Sequence, residues 1–412
     1  MLNLCEKTHA REITILLIVR ACPYSYTGSI MTPPSVLSRA SHATVTALCL
    51  SLALVGCDSP SDDQPAPSPS RLPATPAGVS VPDGMVYIPA TTYTRGNERE
   101  LGTRSRYPEE APEHQVSVPA FLLDATEVTN AQFLAFVDAT GYQTQAEKGL
   151  TRADFPQAPA DQLVPGASLF TPPEKQPELW NEDSVYQWWV FTPGASWRHP
   201  LGPGSDIAEK MDHPVVCVTN EDARAYAQWA GKRLPTEAEW EAAARGGSDR
   251  QLYTWGEDAM PDNQLMGNTY QGTFPTHDSA LDGYASTAPV QSYPPNAYGL
   301  YDMAGNVWEH VADFYRPDAY KSMSTTEVNV APTGPDAPID FTVHGAIYAG
   351  QPLPAGYQPF HPLGYLYGTK GGSYLCHYTY CLRFRPAARS YSEGLSPTNH
   401  TGFRCAQDIV AR

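Results

Sequence analysis

Charged residues are scarce in this chain of 412 residues, because Asp, Glu, Lys and Arg together make up only 17% of it. Lysine and arginine contribute 27 residues and form no basic run, and the formal net charge at pH 7 is −17. Such a surface repels phosphate backbones, so the composition argues against nucleic acid as a partner. Forty prolines and 31 glycines, set against so few charges, predict many loops and few long amphipathic helices.

Several catalytic motifs are also absent. The eleven histidines include no H-x₃-H or similar pair, so no iron site built from several histidines is indicated. The sequence has no G-x-S-x-G nucleophile elbow and no phosphate-binding loop. Serine-based hydrolysis and phosphoryl transfer are therefore not indicated either.

The N-terminal region has no apolar run long enough to span a membrane comfortably, but it does contain an export signal. From Met31, a short basic region with Arg39 precedes the apolar run ATVTALCLSLALVG, which is followed directly by Cys57. This order is typical of a bacterial lipoprotein signal, and it predicts that Cys57 carries a lipid anchor on the periplasmic face of the cell envelope. The alternative is an ordinary signal peptide or a membrane helix in which that cysteine stands by chance.

The composition divides the chain into three parts. Residues 1–57 comprise an upstream segment and the signal peptide, and residues 58–81 are rich enough in Pro, Ser and Asp to predict a disordered tether. Because no repeat of fixed period and no second linker follow, residues 82–412 are predicted to form one domain. It begins with a strand that starts in MVYI, indicated by Val86, Ile88 and the Tyr/Thr alternation that follows.

Three short helices are predicted, each opened by a threonine with an acid or amide three residues later and closed near a glycine. Their opening threonines and closing glycines are Thr129 and Gly141, Thr219 and Gly231, and Thr236 and Gly246.

Four cysteines follow the signal, and in an exported protein they could form two disulfides. They are Cys217, Cys376, Cys381 and Cys405. Side chains five residues apart, as in Cys376 and Cys381, point to opposite faces of a strand and lie roughly 140° apart on a helix. Two sulfurs that act jointly therefore require a turn in the backbone between them. The spacing alone leaves a small disulfide loop and a metal site both open.

Two stretches place oxygen-bearing side chains around glycine turns, an arrangement that suits a hard cation such as Ca²⁺. These side chains are Asp302, Asn306 and Glu309 around Gly305 in one stretch, and Asn268, Asp278 and Asp282 in the other. Acidic turns are common, so the spacing by itself is a weak signal.

From about residue 84 to residue 405, the chain resembles the formylglycine-generating enzymes, also called sulfatase-modifying factors. The segments that carry the resemblance include MVYIPA, EVTNAQFLAFV, KRLPTEAEWEAAARGG, NAYGLYDMAGNVWE, GGSYLCHYTYC and GFRCA. The resemblance implies an α+β, loop-rich fold with little regular secondary structure and a distant likeness to C-type lectins. It also implies an oxidoreductase that uses copper and O₂ to convert a cysteine in the C-x-P-x-R motif of an unfolded sulfatase polypeptide to Cα-formylglycine.

For Cys376 and Cys381 the resemblance implies a Cu(I) site, and the chemistry agrees, because soft thiolates select Cu(I). A structural disulfide is the simpler alternative. Ser373 is similar to a family serine near the oxygen pocket, and Trp308 and Tyr380 are similar to aromatic residues lining the site. These two aromatic residues could also be ordinary core residues. Family members present further polar groups from the loop that here contains Asn399 and His400.

The resemblance also implies two structural calcium sites. Their ligands would be Asn268, the Thr269 carbonyl, Asp282 and the Tyr284 carbonyl in the first, and Asp302, the carbonyls of Gly305 and Val307, and Glu309 in the second. Asp302 stands where the family has asparagine, which keeps an oxygen ligand and adds a charge.

The disulfides of secretory-pathway relatives are not expected here, because Ala227, Ala244 and Pro386 occupy the corresponding positions. Cys217 and Cys405 could instead pair with each other, or both could be buried thiols.

Two alternative functions remain open. The first is a non-catalytic envelope lipoprotein that uses the same scaffold to bind a partner, although such a protein has no reason to keep both thiols. The second is oxidative maturation of a different exported substrate.

Overall fold

The computed structural model describes residues 72–101, 107–152, 155, 160, 163–177, 187–359, 364–378 and 380–409. Cys57, the signal peptide and most of the tether lie outside these residues, so lipidation and the domain boundaries stay predictions. The described end of the tether, residues 72–81, contains neither helix nor strand. No helix in the described part of the chain is long and apolar enough to cross a membrane.

Regular structure is limited to short elements. The described residues contain fourteen strands: β1 Met85–Ile88, β2 Thr91–Arg95, β3 His114–Val118, β4 Phe121–Asp124, β5 Gly166–Phe170, β6 Trp189–Pro193, β7 Gly272–Thr273, β8 His277–Asp278, β9 Trp308–Phe314, β10 Asn329–Val330, β11 Leu366–Lys370, β12 Ser390–Glu393, β13 Thr401–Gly402 and β14 Ala406–Asp408. They contain five α-helices: α1 Asn130–Thr140, α2 Gln145–Lys148, α3 Asn220–Trp229, α4 Glu237–Ala244 and α5 Phe341–Tyr348. Three 3₁₀ turns cover Pro108–Glu110, Pro261–Asn263 and Ala319–Ser322.

The strands form five small sheets. Three-stranded sheets have the orders β1-β4-β14 and β10-β3-β2, and β5-β6 and β7-β8 are hairpins. The four-stranded sheet has the order β12-β11-β9-β13, with β9 antiparallel to β11 and parallel to β13. This sheet places Trp308 beside Thr401 and Glu309 beside Lys370. The α+β, loop-rich fold class expected from the sequence is therefore confirmed.

The three predicted helices are confirmed as α1, α3 and α4. Each begins with a capping box in which the threonine side chain and the side chain three residues later exchange hydrogen bonds with the backbone. Each ends within two residues of its predicted glycine, and all three glycines have a positive φ. The strand predicted at MVYI is confirmed as β1.

Helix α4 is buried along its whole length and packs against β9 and β11. Its Glu237 accepts hydrogen bonds from Arg389, and its Glu241 lies 3.2 Å from the Nζ of Lys370. A buried charge is strongly destabilising unless it is paired. These ion pairs therefore fix the end of β11, which leads directly into the segment with the two predicted copper ligands.

Candidate active site

The cysteine loop, residues 371–384, leaves the end of β11 and contains two successive turns. The Ser373 carbonyl accepts from the Cys376 amide at 2.8 Å. The His377 carbonyl then accepts from the Tyr380 amide at 3.0 Å and from the Cys381 amide at 2.8 Å. The turn that the cysteine spacing required is therefore confirmed.

Both cysteines line one cleft, which is open to solvent on one side. The other side chains of this cleft are Trp188, Trp189, Phe274, Trp308, Ser373, Leu375, Tyr380 and His400. All five residues predicted to be catalytic are thus brought together in one place, although they come from the cysteine loop and from β9.

The four described cysteines are all buried. Cys217 packs in one hydrophobic cluster with Val216 and Val307, whereas Cys405 packs in another with Phe403. This arrangement favours buried thiols over a Cys217–Cys405 disulfide. Burial raises the pKa of both of these thiols, which makes them poor nucleophiles.

Aromatic rings form the walls of the cleft. The ring of Tyr380 stacks on Phe274 with centroids 4.0 Å apart, and Trp188 meets Tyr380 edge-on at 6.1 Å. The Trp308 amide donates to the His400 carbonyl at 2.9 Å, which ties β9 to the loop before β13. The thiols therefore lie in a largely apolar environment, where electrostatic interactions are stronger than in water.

Of the two polar residues expected from this loop, only His400 lines the cleft. Asn399 instead accepts a hydrogen bond from the Phe170 amide at 3.0 Å and so holds β5 in place. The Nδ1 of His400 lies 2.9 Å from the Thr398 hydroxyl, and the His400 ring packs against Trp189 with centroids 4.6 Å apart. Burial lowers the pKa of His400 to about 3, so the imidazole is neutral at physiological pH.

The first oxygen-rich loop, residues 268–284, brings three of its predicted ligand residues together, namely Thr269, Asp282 and Tyr284. The side-chain amide of Gln271 donates both to the Thr269 carbonyl, at 3.1 Å, and to the Asp282 carboxylate. The Tyr284 amide also donates to that carboxylate, at 3.0 Å. The Oδ1 of Asn268 is buried and has no hydrogen-bond partner among the described residues. A buried oxygen of this kind suits a cation ligand.

The second oxygen-rich loop, residues 302–309, faces an acid that the sequence argument missed. Glu127 is completely buried. Its Oε1 accepts from the side-chain amide of Asn306 at 3.0 Å, but its Oε2 has no hydrogen-bond partner within the described residues. Burial and the negative charge of Asp302 raise the pKa of Glu127, and burial raises the pKa of Asp302 to about 6.

Glu309 is already paired in this cluster. Its carboxylate accepts from Arg404 at 2.7 and 2.8 Å and from the Trp240 indole at 2.7 Å. When ionised, Glu127, Asp302 and Glu309 carry three negative charges against the single positive charge of Arg404. A divalent cation would offset the remaining two, so the residues present fit Ca²⁺.

No group of three His, Cys, Asp or Glu side chains in the described ranges is arranged to hold a metal ion by itself. Each predicted calcium site therefore depends on carbonyl and amide oxygens as well as carboxylates. The cleft offers two cysteine side chains, a donor set that fits Cu(I).

The loop-rich α+β scaffold and a cleft with two thiols together define a sulfatase-modifying domain. Residues 70–409 match the family described as the sulfatase-modifying factor enzyme 1-like domain, and the chain belongs to this family. It is 43% identical over 318 residues to the formylglycine-generating enzyme of Mycobacterium tuberculosis, covering 77% of this chain and 97% of that protein.

One further relative is similar in sequence, and one solved structure is similar in fold. The formylglycine-generating enzyme of Thermomonospora curvata is 43% identical over 333 residues, which cover 79% of this chain and 93% of the relative. The solved structure of PvdO from Pseudomonas aeruginosa is similar in fold, with a TM-score of 0.52 and 23% identity over 82% of this chain and 100% of that one.

Proposed function

We propose that this protein oxidises a cysteine in the C-x-P-x-R motif of an unfolded sulfatase polypeptide to Cα-formylglycine, using O₂ and Cu(I). The observation that carries the proposal is the cleft in which Cys376 and Cys381 meet Ser373, Trp308 and Tyr380. Relatives named as formylglycine-generating enzymes, similar along almost their whole length, support it. A non-catalytic scaffold would give two thiols in one cleft no role.

Cys376 and Cys381 would hold the copper, and the substrate cysteine would enter the space beside them. When bound, Cu(I) supplies the electron-transfer chemistry with O₂ that side chains cannot perform. In the balanced reaction, the peptidyl cysteine, O₂ and two equivalents of an external thiol give the aldehyde, H₂S, water and one disulfide. The cysteine side chain supplies two of the four electrons that reduce O₂, and the external thiols supply the other two.

His400 and Ser373 would handle protons and orientation. The neutral imidazole of His400 lines the cleft and would orient the entering substrate by hydrogen bonding, because a group whose pKa is about 3 is too weak a base to take the proton of a thiol. The Ser373 hydroxyl accepts from the Leu375 amide at 3.2 Å, so its own proton can be donated into the cleft. The aromatic walls would exclude bulk water from the reacting thiol.

The test is conversion of a peptide containing C-x-P-x-R by the Cu(I)-loaded protein in air with an added thiol as reductant, read out by capture of the aldehyde with a hydroxylamine probe. Cys376→Ser and Cys381→Ser should each abolish the product. Cys217→Ser, which removes a buried thiol outside the cleft, should leave conversion largely intact. Full conversion by either cleft variant would overturn the assignment.

Structural calcium is proposed for both oxygen-rich loops. The first site would use Asn268, Thr269, Asp282 and Tyr284. The second would use Asp302, Gly305, Val307 and Glu309, with Glu127 as an additional carboxylate. The two buried oxygens without hydrogen-bond partners, on Asn268 and Glu127, support these assignments among the described residues.

A lipid on Cys57 is proposed to anchor the protein to the periplasmic face of the cell envelope, where it would meet exported sulfatases before they fold. Labelling with radioactive palmitate tests this proposal. Label that persists in Cys57→Ala, or no label in the natural sequence, would contradict it.

A further inference from the structure

The end of the cysteine loop is tied to a distant segment by buried arginines. From Cys381 to Arg389 the chain forms neither helix nor strand. In this stretch, Arg383 pairs with Glu109 and Arg385 pairs with Glu110, across 274 and 275 residues of sequence. Tertiary ion pairs therefore take the place of a strand ladder here.

The Arg385–Glu110 pair has the stronger geometry. Nη1 and Nη2 of Arg385 donate to the two carboxylate oxygens of Glu110 at 2.9 and 2.6 Å, and both residues are 0% exposed. Such a two-point pair fixes orientation as well as distance. The third guanidinium nitrogen, Nε, donates to the carbonyl of Leu382 at 2.7 Å. One guanidinium thus links Glu110 to the residue that directly follows Cys381.

The two ends of the cysteine loop also lie close together in space. Gly372 approaches the backbone of Phe384 so closely that a Cβ at position 372 would lie 3.0 Å from its N and Cα atoms. Phe384 itself packs in the hydrophobic cluster that contains Cys376 and Cys381. The loop is therefore held at its base by packing and at its end by the ion pair.

We infer that Glu110 is a positioning residue for Cys381, because it orients Arg385, which holds the Leu382 carbonyl and so sets where the Cys381 thiol lies in the cleft. Cys376 has a separate anchor, since its carbonyl accepts from the Tyr270 amide at 2.9 Å. Loss of the Glu110 contact should therefore affect the two thiols unequally. The inference deepens the proposed function and rests on it for the catalytic consequence alone.

The experiment compares the full-length natural protein with Glu110→Gln, which keeps the shape of the side chain and removes its charge. The first readout needs neither copper nor activity: the iodoacetamide alkylation rate at each cysteine, measured by mass spectrometry on folded protein. We expect the Cys381 rate to rise about tenfold while the Cys376 rate changes less than about twofold, because reaction of a buried group follows local opening. Equal changes at both thiols, or none, would overturn the inference.

Two variants separate positioning from general stability. Arg385→Lys keeps the positive charge but loses the two-point contact, and it should reproduce the effect of Glu110→Gln. Glu239→Gln breaks another two-point pair, with Arg233 at 2.7 and 2.8 Å, in the first turn of α4. It should lower the melting temperature without changing the ratio of the two alkylation rates. If Glu110→Gln does not fold, Glu110→Asp, which keeps the charge on a shorter side chain, is measured with the same expected asymmetry.

The catalytic consequence is read separately. With Cu(I) and a C-x-P-x-R peptide, Glu110→Gln should lower kcat about 10- to 100-fold with little change in KM, since a misplaced reacting group costs rate rather than peptide affinity. If the natural protein makes no aldehyde, the proposed function fails while the alkylation result still decides the positioning role. Unchanged kcat together with a shifted alkylation ratio would refute the catalytic consequence.

Discussion

The backbone amide of Tyr270 donates a hydrogen bond of 2.9 Å to the carbonyl of Cys376. Tyr270 directly follows Asn268 and Thr269, two of the proposed calcium ligands. The second oxygen-rich loop makes a matching contact, because the Asn306 carbonyl accepts from the Tyr374 amide at 2.9 Å. Both loops are therefore bonded directly to the loop that carries the thiols.

Calcium removal should consequently lower stability and disturb the thiol cleft. A ligand that binds only the native state stabilises it by about 2.7 kcal/mol at 100 times its dissociation constant. Chelation with EGTA should thus lower the melting temperature and reduce aldehyde formation, and added Ca²⁺ should restore both. Asn268→Ala should remove much of the Ca²⁺ response, whereas Asp278→Asn, a carboxylate in the same loop outside the proposed set, should retain it. A melting temperature that is the same with and without Ca²⁺ would contradict the proposed site.

Glu127→Gln should change the stability of the protein in opposite directions with and without calcium. In EGTA the substitution removes a buried acid whose pKa is raised by burial and by the charge of Asp302, so it should stabilise the protein by on the order of 1–3 kcal/mol. In Ca²⁺ it removes a ligand, so it should destabilise the protein relative to the natural chain. Thermal melts in the two buffers check this crossover. Asp138→Asn, which changes an exposed acid, should shift neither melt, and the absence of a crossover in Glu127→Gln would refute its role at the site.

His400 should make the protein less stable in mild acid. Burial lowers the pKa of His400 to about 3, below the value near 6.5 expected in the unfolded chain. Between these values the unfolded state binds the additional proton, so stability falls as pH decreases through this window. Urea unfolding should show His400→Asn losing about 2 kcal/mol less than the natural chain between pH 7 and pH 5. His199→Asn, at an exposed histidine outside the cleft, is the control for the loss of a histidine as such.

Gly372→Ala tests the base of the cysteine loop. Gly372 has a φ of 73°, and an added Cβ would meet the Phe384 backbone at 3.0 Å. Gly350 has a similar φ of 84° but nothing within 4 Å of an added Cβ. Both alanine variants should therefore pay a conformational cost of about 1 kcal/mol, and only Gly372→Ala should lose additional stability and aldehyde formation. Equal losses, measured by melting and product yield, would contradict the contact.

Local signals predicted the local structure well. The capping boxes at Thr129, Thr219 and Thr236 identified three helices because every interaction they need lies within four residues. Helix α5, Phe341–Tyr348, was missed because it has no acid or amide three residues after its cap and contains Gly345. The cysteine spacing required a turn for the same local reason, but it could not choose between a disulfide and a metal site.

Contacts between residues far apart in the chain could not be predicted from local patterns. Resemblance to the family supplied Trp308 as a partner of the cysteines. Nothing in EVTN links Glu127 to Asp302, which follows 175 residues later, and nothing in RFRP links Arg385 to Glu110. Such contacts depend on how the sheets stack, and a single sequence does not report that.

The dependence of the cysteine loop on distant partners limits how far its chemistry can be separated from the domain. As an isolated peptide, GGSYLCHYTYC would lack the Tyr270 amide, the Asn306 carbonyl and the Glu110 carboxylate that hold it. Its cysteines would sample many separations, and any copper it bound would be open to solvent and to other thiols. The cysteine loop would therefore not keep its structure in another protein unless the surrounding loops were transferred with it.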